Sequence, residues 1–576
     1  MRYPFRRPSL RASLAMLAAT AAGLVALDAI VASARAAQPD QAAATIRYFP
    51  DLQSRGFATP TVPVTSTPMI PLAASAPAGA DGIEGWGFST IDYQNLSADV
   101  VSVETKLGLR QRGNVTLRRT LAGLAGTSLP IGDEPSMIEG FWSGRYEADD
   151  AVAGIARTTW PLSATVAYEA IAPARQWLMP LIIRGLDEHY SIYYVQNAYT
   201  DTVTVTYQWF DPDTGGIESE WADELAPGEV VNMDAIEFST PLSNLPGNVR
   251  GGFIGGLRVL STAPVAVMVY NNEAFDGGVS AYVARPRAEA ATSHALPVVR
   301  SNYLGDSLIA VANGGDQSVD VTITYRGDPA SPWGADASTS DRFTIGPRGA
   351  KMLDLSGRGW STAGASQVSR GSGTNTGFVG SAMVTATGAV AVTVLETAVY
   401  PAAVRASASY NGFTPAELGS AFAVPALRHV PGGRTTRVVF QNPGDAAVSV
   451  ETVLFDAGAE VRRETTVVPA GSARSFATSG DVTATLSARI VASSPIAALV
   501  YETPWDSPAE WGPSGDLGYD TAAYAAPRAS GPDFPTPRPP TITPTPTPDP
   551  TGTPVALPPS PTPETAGRIY FPSAER

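Results

Sequence analysis

The chain is 576 residues long, has no cysteine and carries a formal net charge of −15, which leaves room for about three to five domains of ordinary size. That acidic balance argues against a general nucleic-acid binder, whose affinity comes from neutralising phosphates with Lys and Arg, and against docking on an anionic membrane surface. Without cysteine there are no disulfide staples and no lipid-carrying Cys, so the modules must hold by core burial alone.

Residues 1–36 read as an export signal. Arg2, Arg6, Arg7 and Arg11 form a basic start, an apolar stretch runs from Leu14 to Val31, and Ala34-Arg35-Ala36 supplies a small-x-small cleavage site. Asp28 and many alanines in that stretch favour a cleaved signal over a permanent helix. Arg6-Arg7 also fits a twin-arginine signal, which leaves two export routes open. No second apolar span follows, so the expected location is secreted or at the cell surface, with no membrane span after signal cleavage.

Beyond the signal one pattern occurs four times: an Asn followed by Val at +6 and +8, with a hydrophobic residue at −2. The copies are Tyr93/Asn95/Val101/Val103, Val195/Asn197/Val203/Val205, Val311/Asn313/Val319/Val321 and Phe440/Asn442/Val448/Val450. A strand into the Asn, a polar turn and an alternating strand out make a β-hairpin, so the chain is a tandem array of β-modules. Asn bonds its own backbone in turns, which gives it a structural role here.

The first module, 37–172, diverges. Phe49-Pro50-Asp51-Leu52 is its candidate first strand, Ala58 to Gly82 reads as a Pro/Ala-rich insertion, and Val152–Ala156 closes it. Modules 173–288, 289–414 and 415–527 are more regular. Each opens on a hydrophobic-Pro segment ending in Arg (Met179-Pro180 to Arg184, Leu296-Pro297 to Arg300, Val424-Pro425 to Arg428), with the Pro 17, 16 and 17 residues before the Asn. Pro lacks a backbone donor and suits the start of an edge strand. Each closes on a near-continuous apolar run, Val265–Val269, Val390–Val394 or Ile496–Val500, expected to be buried on both faces or packed on a neighbouring module. Six or seven short strands per 100–130 residues is the immunoglobulin-like sandwich signature, though no Cys…Trp…Cys set exists. The expected fold is all-β: tandem immunoglobulin-like β-sandwich modules with a disordered Pro/Thr-rich tail.

That tail occupies 528–567, where Thr543–Pro548 and Pro558–Pro563 alternate Thr or Ser with Pro. Such a tract packs no core and extends up to ~120 Å at polyproline II rise. Residues 568–576 form a short apolar end. Its Ile569, Tyr570, Phe571 and Pro572 resemble a first strand with no module behind it, a motif for attachment or for strand donation to a sheet edge of another copy.

Catalytic candidates are few. His189, His294 and His429 sit at unmatched positions, and no nucleophile elbow, zinc helix or phosphate loop is present. Asp211-Pro212-Asp213-Thr214-Gly215 alternates oxygen ligands as a calcium loop does, but a hairpin turn selects the same residues. Asp149-Asp150 and Asp187-Glu188 read as solvated loop charges. Trp333, Trp360, Trp505 and Trp511 lie in Gly/Pro/Ser-rich segments and are candidates for glycan stacking, against the commoner fate of plugging a sandwich end. Asn95-Leu96-Ser97 and Asn114-Val115-Thr116 match the N-glycosylation tripeptide.

The four hairpins, the Pro-started first strands and the Thr543–Pro563 tail followed by Tyr570-Phe571-Pro572 together resemble bacterial exported proteins with tandem Ig-like repeats. The sortase-type Leu-Pro-x-Thr-Gly is absent. This resemblance implies a non-catalytic secreted or cell-surface structural or adhesion protein without cofactors, a stalk of sandwiches attached or assembled through its C-terminal tail. A carbohydrate-binding module array of the cell envelope is the alternative. Expected partners are cell-envelope components or other copies of the chain, with polysaccharide as a further option, and no nucleic acid.

Overall fold

A computed structural model describes residues 69–75, 88–109, 113–131, 140–160, 164–186, 189–210, 216–234, 253–273, 279–301, 306–328, 338–355, 378–399, 405–428, 435–477, 485–503 and 522–529. Its main strands fall into four sets in the same order, seven in modules 2 to 4 and eight in module 1, where the sixth is split; a two-residue strand, Arg285–Pro286, also pairs with Trp177 and Leu178. A lead strand comes first: Met69–Ser75, Ala174–Leu186, Ala291–Ser301 and Gly419–Leu427 in modules 1 to 4. The strand into the Asn follows: Phe88–Asn95, His189–Asn197, Asp306–Asn313 and Thr435–Gln441. The strand out of the turn is Val101–Leu109, Val203–Phe210, Val319–Gly327 or Val448–Asp456. A return strand pairs with it: Gly113–Leu121, Ile217–Leu225, Ser338–Ile345 and Ala459–Val468. A five-residue strand comes next: Gly126–Pro130, Val230–Asp234, Ala350–Asp354 and Ala473–Ala477.

The sixth strand crosses the module. In modules 2 to 4 it is continuous (Phe253–Glu273, Phe378–Val399 and Leu486–Thr503), its first half in one sheet and its second half in the other. In module 1 it is split into Gly140–Ala148 and Val152–Trp160 by a turn that exposes Asp149 and Asp150. A closing strand ends each set: Ala164–Glu169, Val279–Val283, Arg405–Asn411 and Ala522–Ala525. The two antiparallel sheets thus run return–out–crossing–lead and five-residue–Asn–crossing–closing. This is a β-sandwich, but the lead strand lies beside the crossing strand, a different strand order from that of antibody domains.

Three details depart from the sequence expectations. Met69–Ser75, inside the stretch read as an insertion, takes the lead position of module 1 by pairing with Gly140–Ala148; Phe49–Leu52 lies outside the described residues. Each lead-strand proline stands mid-strand at a register shift, not at a strand start: Pro71 between Ile70 and Ala73, Pro180 between Met179 and Ile182, Pro297 between Leu296 and Val299, Pro425 between Val424 and Leu427. A bulge leaves one ladder position unpaired, and a residue without N–H fits it at no loss of a bond.

The third departure is global. The modules do not lie end to end as a stalk; they close on themselves. The outer face of each second sheet packs on the preceding module, and module 1 packs on module 4. Tyr270 and Tyr168 share one apolar cluster across modules 2 and 1. Leu395 of module 3 meets Leu181 and Ile183 of module 2. Leu499 and Tyr501 of module 4 join the core of module 3, and Ile155 of module 1 joins that of module 4. The closing strands of the four modules meet around the middle of this ring. Burial on both faces explains the apolar runs: Val265–Val269 and Ile496–Val500 are fully buried, whereas the out strand Val319–Gly327 alternates buried and partly exposed residues as a one-sided strand does.

Candidate functional site

The repeated Asn is a staple. Asn197 Nδ2 donates to the carbonyls of Asp201 (2.8 Å), Leu225 (3.0 Å) and Ala226 (3.0 Å), and its Oδ1 accepts from Tyr199 N (2.8 Å). Asn95 and Asn442 repeat this set around their own turns, and Asn313 donates to Gln317 O and Gly346 O and accepts from Gly315 N. Asn95 is fully buried in doing so, so the tripeptide starting there offers no free amide for a glycan. A closing-strand tyrosine is repeated too: Tyr168, Tyr282, Tyr410 and Tyr524 are all buried. Tyr282 Oη donates to Leu181 O at 2.5 Å and Tyr410 Oη to Val298 O, in each case the carbonyl just after the bulge proline.

A Gln before the Asn is the third repeated group, and it works between modules. Gln196 Nε2 donates to Gly144 O of module 1 (3.5 Å), Gln441 to Ala382 O of module 3 (2.9 Å), and Gln94 to Ala488 O of module 4 (3.1 Å). Module 3 has Ala312 instead. The hairpin pattern contained this Gln, but nothing local in the sequence says that it points outward into another module.

Where module 1 meets module 4, a buried ionic set joins the apolar contacts of Leu96, Ala153 and Ile155 with module 4. Arg157 lies 3.0 Å from Asp92 Oδ2 and donates to Glu502 Oε1 at 2.5 Å, and all three are at most 1% exposed. Arg428 of module 4 reaches Asp92 at 3.6 Å. Desolvation opposes the Arg157 charge, but Glu502 and Asp92 together raise its pKa above the ordinary guanidinium value. Sequence reading missed this set because its members are 65 and 345 residues from Arg157 and follow no motif.

At the ring's middle a small cavity of about 40 Å³ is lined by Glu169, Tyr282, Arg285, Asn411 and Glu417, among others. Arg285 pairs with Glu417 and donates to Gly412 O at 2.8 Å. Desolvation pushes the Glu169 carboxyl up to about 7, with Glu417 and Glu289 reinforcing it and Arg285 and Arg528 opposing. His294 is buried, with Nε2 2.9 Å from Val390 O and Nδ1 3.3 Å from Gly412 O; desolvation and Arg285 lower its pKa, so it is neutral. It faces no nucleophile.

An open cleft lies between modules 3 and 4. Two lobes of about 460 and 480 Å³ flank the turn Pro443–Asp445 and share Met383. Phe413, Pro415, Leu418 and Pro495 give the first lobe an apolar wall, while Arg326, Ser381 and Asp445 line the second. The matching place between modules 2 and 3 holds only about 10 Å³. There Leu178 fills the space, its Cδ1 only 2.6 Å from where a Cβ on Gly314 would stand. The lead-strand position of Leu178 is Ala295 in module 3.

Trp333, Trp360, Trp505, Trp511, the tail residues Ile569, Tyr570, Phe571 and Pro572, the Asp211–Gly215 loop, Asp187, Glu188 and His429 lie outside the described residues. Among the described residues no helix is long and apolar enough to cross a membrane.

No family model matches the chain, and no curated protein matches it. Among solved structures it is similar to the crystal structure of a tetra-tandem repeat in the extending region of a large adhesion protein. That similarity has 12% identity and covers 80% of this chain and 99% of that one, at a TM-score of 0.09. A value that low transfers neither fold nor role.

Proposed function

We propose that this is a non-catalytic structural or adhesion protein of the cell exterior: a closed ring of four β-sandwich modules held on a Pro/Thr-rich tether at 528–567. Residues Ile569–Pro572 at the far end serve attachment to cell-envelope components or to other copies. One observation carries the reading. The Asn that recurs in all four modules and the closing-strand Tyr of modules 2 and 3 are bound to backbone within their modules, and the recurring Gln is spent holding modules together. Repetition here has been used to build a body, and among the described residues no repeated polar group faces solvent as a reactive set.

Fractionation of cells expressing the full chain, with and without residues 568–576, tests it. Surface retention that is lost on deletion supports tail-mediated attachment, and unchanged retention overturns it. A polysaccharide pull-down of the same protein separates the reading from a glycan-binding array. Robust capture abolished by Trp333→Ala, Trp360→Ala, Trp505→Ala or Trp511→Ala would replace the scaffold reading with the carbohydrate one.

A further inference from the structure

Residues 527–529, the last described, lie against the lead strand of module 4, beside the cleft between modules 3 and 4. We propose that the first stretch of the tail, Gly531–Pro540, docks in cis into the cleft between modules 3 and 4.

The exit path points there. Residues 527–529 run antiparallel to the lead strand of module 4: Ala423 N donates to Pro527 O (2.9 Å) and Ala529 N to Ala421 O (3.0 Å). Continued by two residues, that register sets Gly531 opposite Gly419, next to Leu418 in the cleft wall. The Arg528 side chain already passes 3.4 Å from the Cβ position of Gly419 and donates to Ala416 O.

The cleft's chemistry matches what the tail carries. Gly531-Pro532-Asp533-Phe534-Pro535-Thr536-Pro537-Arg538-Pro539-Pro540 holds five prolines, which pre-order an extended segment and lower the entropy lost on docking. Between residues 530 and 567, Phe534 is the single aromatic and Arg538 the single base. The first lobe presents Met383, Phe413, Pro415 and Leu418 to an apolar anchor; the second presents Asp445 to a cation, with the Arg326 guanidinium in the same lobe engaged by Ala470 O. Phe534 lies three residues past Gly531, about 9 Å at polyproline II rise, within reach of the first lobe. Ser381 supports a polar occupant of the second lobe: its hydroxyl is 1% exposed, lines the lobe and has no hydrogen-bond partner. A buried hydroxyl left so carries a desolvation cost that a docked backbone group would remove. Docking would fix the direction in which the tether leaves the ring. This inference is independent of what the tail's far end attaches to.

The full-length chain has no cysteine, so a single introduced thiol reports on the cleft. Ser494 is exposed in the wall of the first lobe. Alkylation of the full-length Ser494→Cys variant is expected to speed up at least fivefold when Phe534→Asp is added, since the charge removes the apolar anchor of the docked segment. Adding the free peptide Gly531–Pro540 to the double variant should restore slow labelling. Equal rates with and without Phe534→Asp overturn the proposal. Protection that grows with protein concentration also overturns it, by placing a second copy's tail in the cleft. A Cys pair gives a separate readout. Asp445→Cys with Arg538→Cys should form an intramolecular disulfide at least tenfold faster than Asp445→Cys with Thr547→Cys. Loop length alone accounts for only about threefold, so a ratio near three counts against docking.

Discussion

The four junctions of the ring are built at the same repeat positions but not from the same chemistry. On the outward face of the second sheet, one position of the Asn strand and one of the crossing strand meet the preceding module. Modules 2, 3 and 4 fill them with Tyr194 and Tyr270, Ala310 and Leu395, and Val439 and Tyr501. Tyr194 and Tyr270 stack edge to face at 5.4 Å. Module 1 has Asp92 and Arg157 instead, answered by Glu502 across the seam. That seam is also the one junction not joined by a short linker, because its partners are the two ends of the array. A linked pair of modules meets its neighbour at high effective concentration whatever its surface. The end modules must select each other, and a buried charge set that is satisfied only in one pairing penalises every other one. All four junctions have apolar contacts, but the closing seam alone adds a buried Asp92–Arg157–Glu502 set at these repeat positions, so its selectivity is ascribed to charge.

Breaking one charge should separate the seam from the other junctions most clearly. Arg157→Leu leaves Asp92 and Glu502 buried without their cation and should cost about 3–5 kcal/mol in urea unfolding of the full chain. A loss below 1 kcal/mol would show that the seam does not depend on its ions. Replacing the whole key is expected to reverse the sign. Asp92→Ala with Arg157→Leu and Glu502→Gln copies the module 3 pair and should be neutral or stabilising by about 1–4 kcal/mol. Selectivity would suffer instead, read as more oligomer on refolding at high concentration. At a linked junction, Tyr270→Leu removes one edge-to-face contact and part of an apolar face, for about 1–2 kcal/mol.

Acidity sharpens the comparison further. Glu396 is the module 3 counterpart of Glu502, but it faces Arg300 (3.2 Å) and Ser307 in place of a cation from the next module. Desolvation pushes it up to about 7, against Arg300 and Ser307. Its folded pKa therefore exceeds the unfolded value, and the folded state holds more protons between about pH 4.5 and 7. The stabilisation is complete below that window and is lost as pH rises through 7. The melting temperature should fall from pH 5 to pH 8, and Glu396→Gln should flatten the slope, leaving the part due to Glu169. The smallest effect is expected at the cleft. Ala295→Leu copies Leu178 into the open junction and should change stability by less than 1.5 kcal/mol, while speeding Ser494→Cys alkylation if it displaces the tail or leaving it unchanged if the cleft is empty.

Much of the module was legible in the chain. The Asn turn and the alternating Val strand have local periods that backbone geometry imposes and stand where the pattern put them; the doubly apolar run is buried as expected but belongs to the crossing strand, and a further strand closes each module after it. The lead proline was legible as a strand marker but was assigned the wrong place in the strand, because a bulge and a strand start look alike without the partner strand. Met69–Ser75 was passed over because Pro71 stands 24 residues before Asn95, where the other modules have 16 or 17.

The sequence by itself determined that this chain is a fourfold array of β-sandwich units with a structural Asn at each hairpin, since hydrogen-bonding and side-chain alternation act over a few residues. Only the tertiary structure decided that the array closes, that Gln94, Gln196 and Gln441 serve the neighbouring module, and that Asp92, Arg157 and Glu502 form one buried set. Those contacts join surfaces up to 410 residues apart (Asp92 to Glu502), and no local period encodes which outward face will meet which.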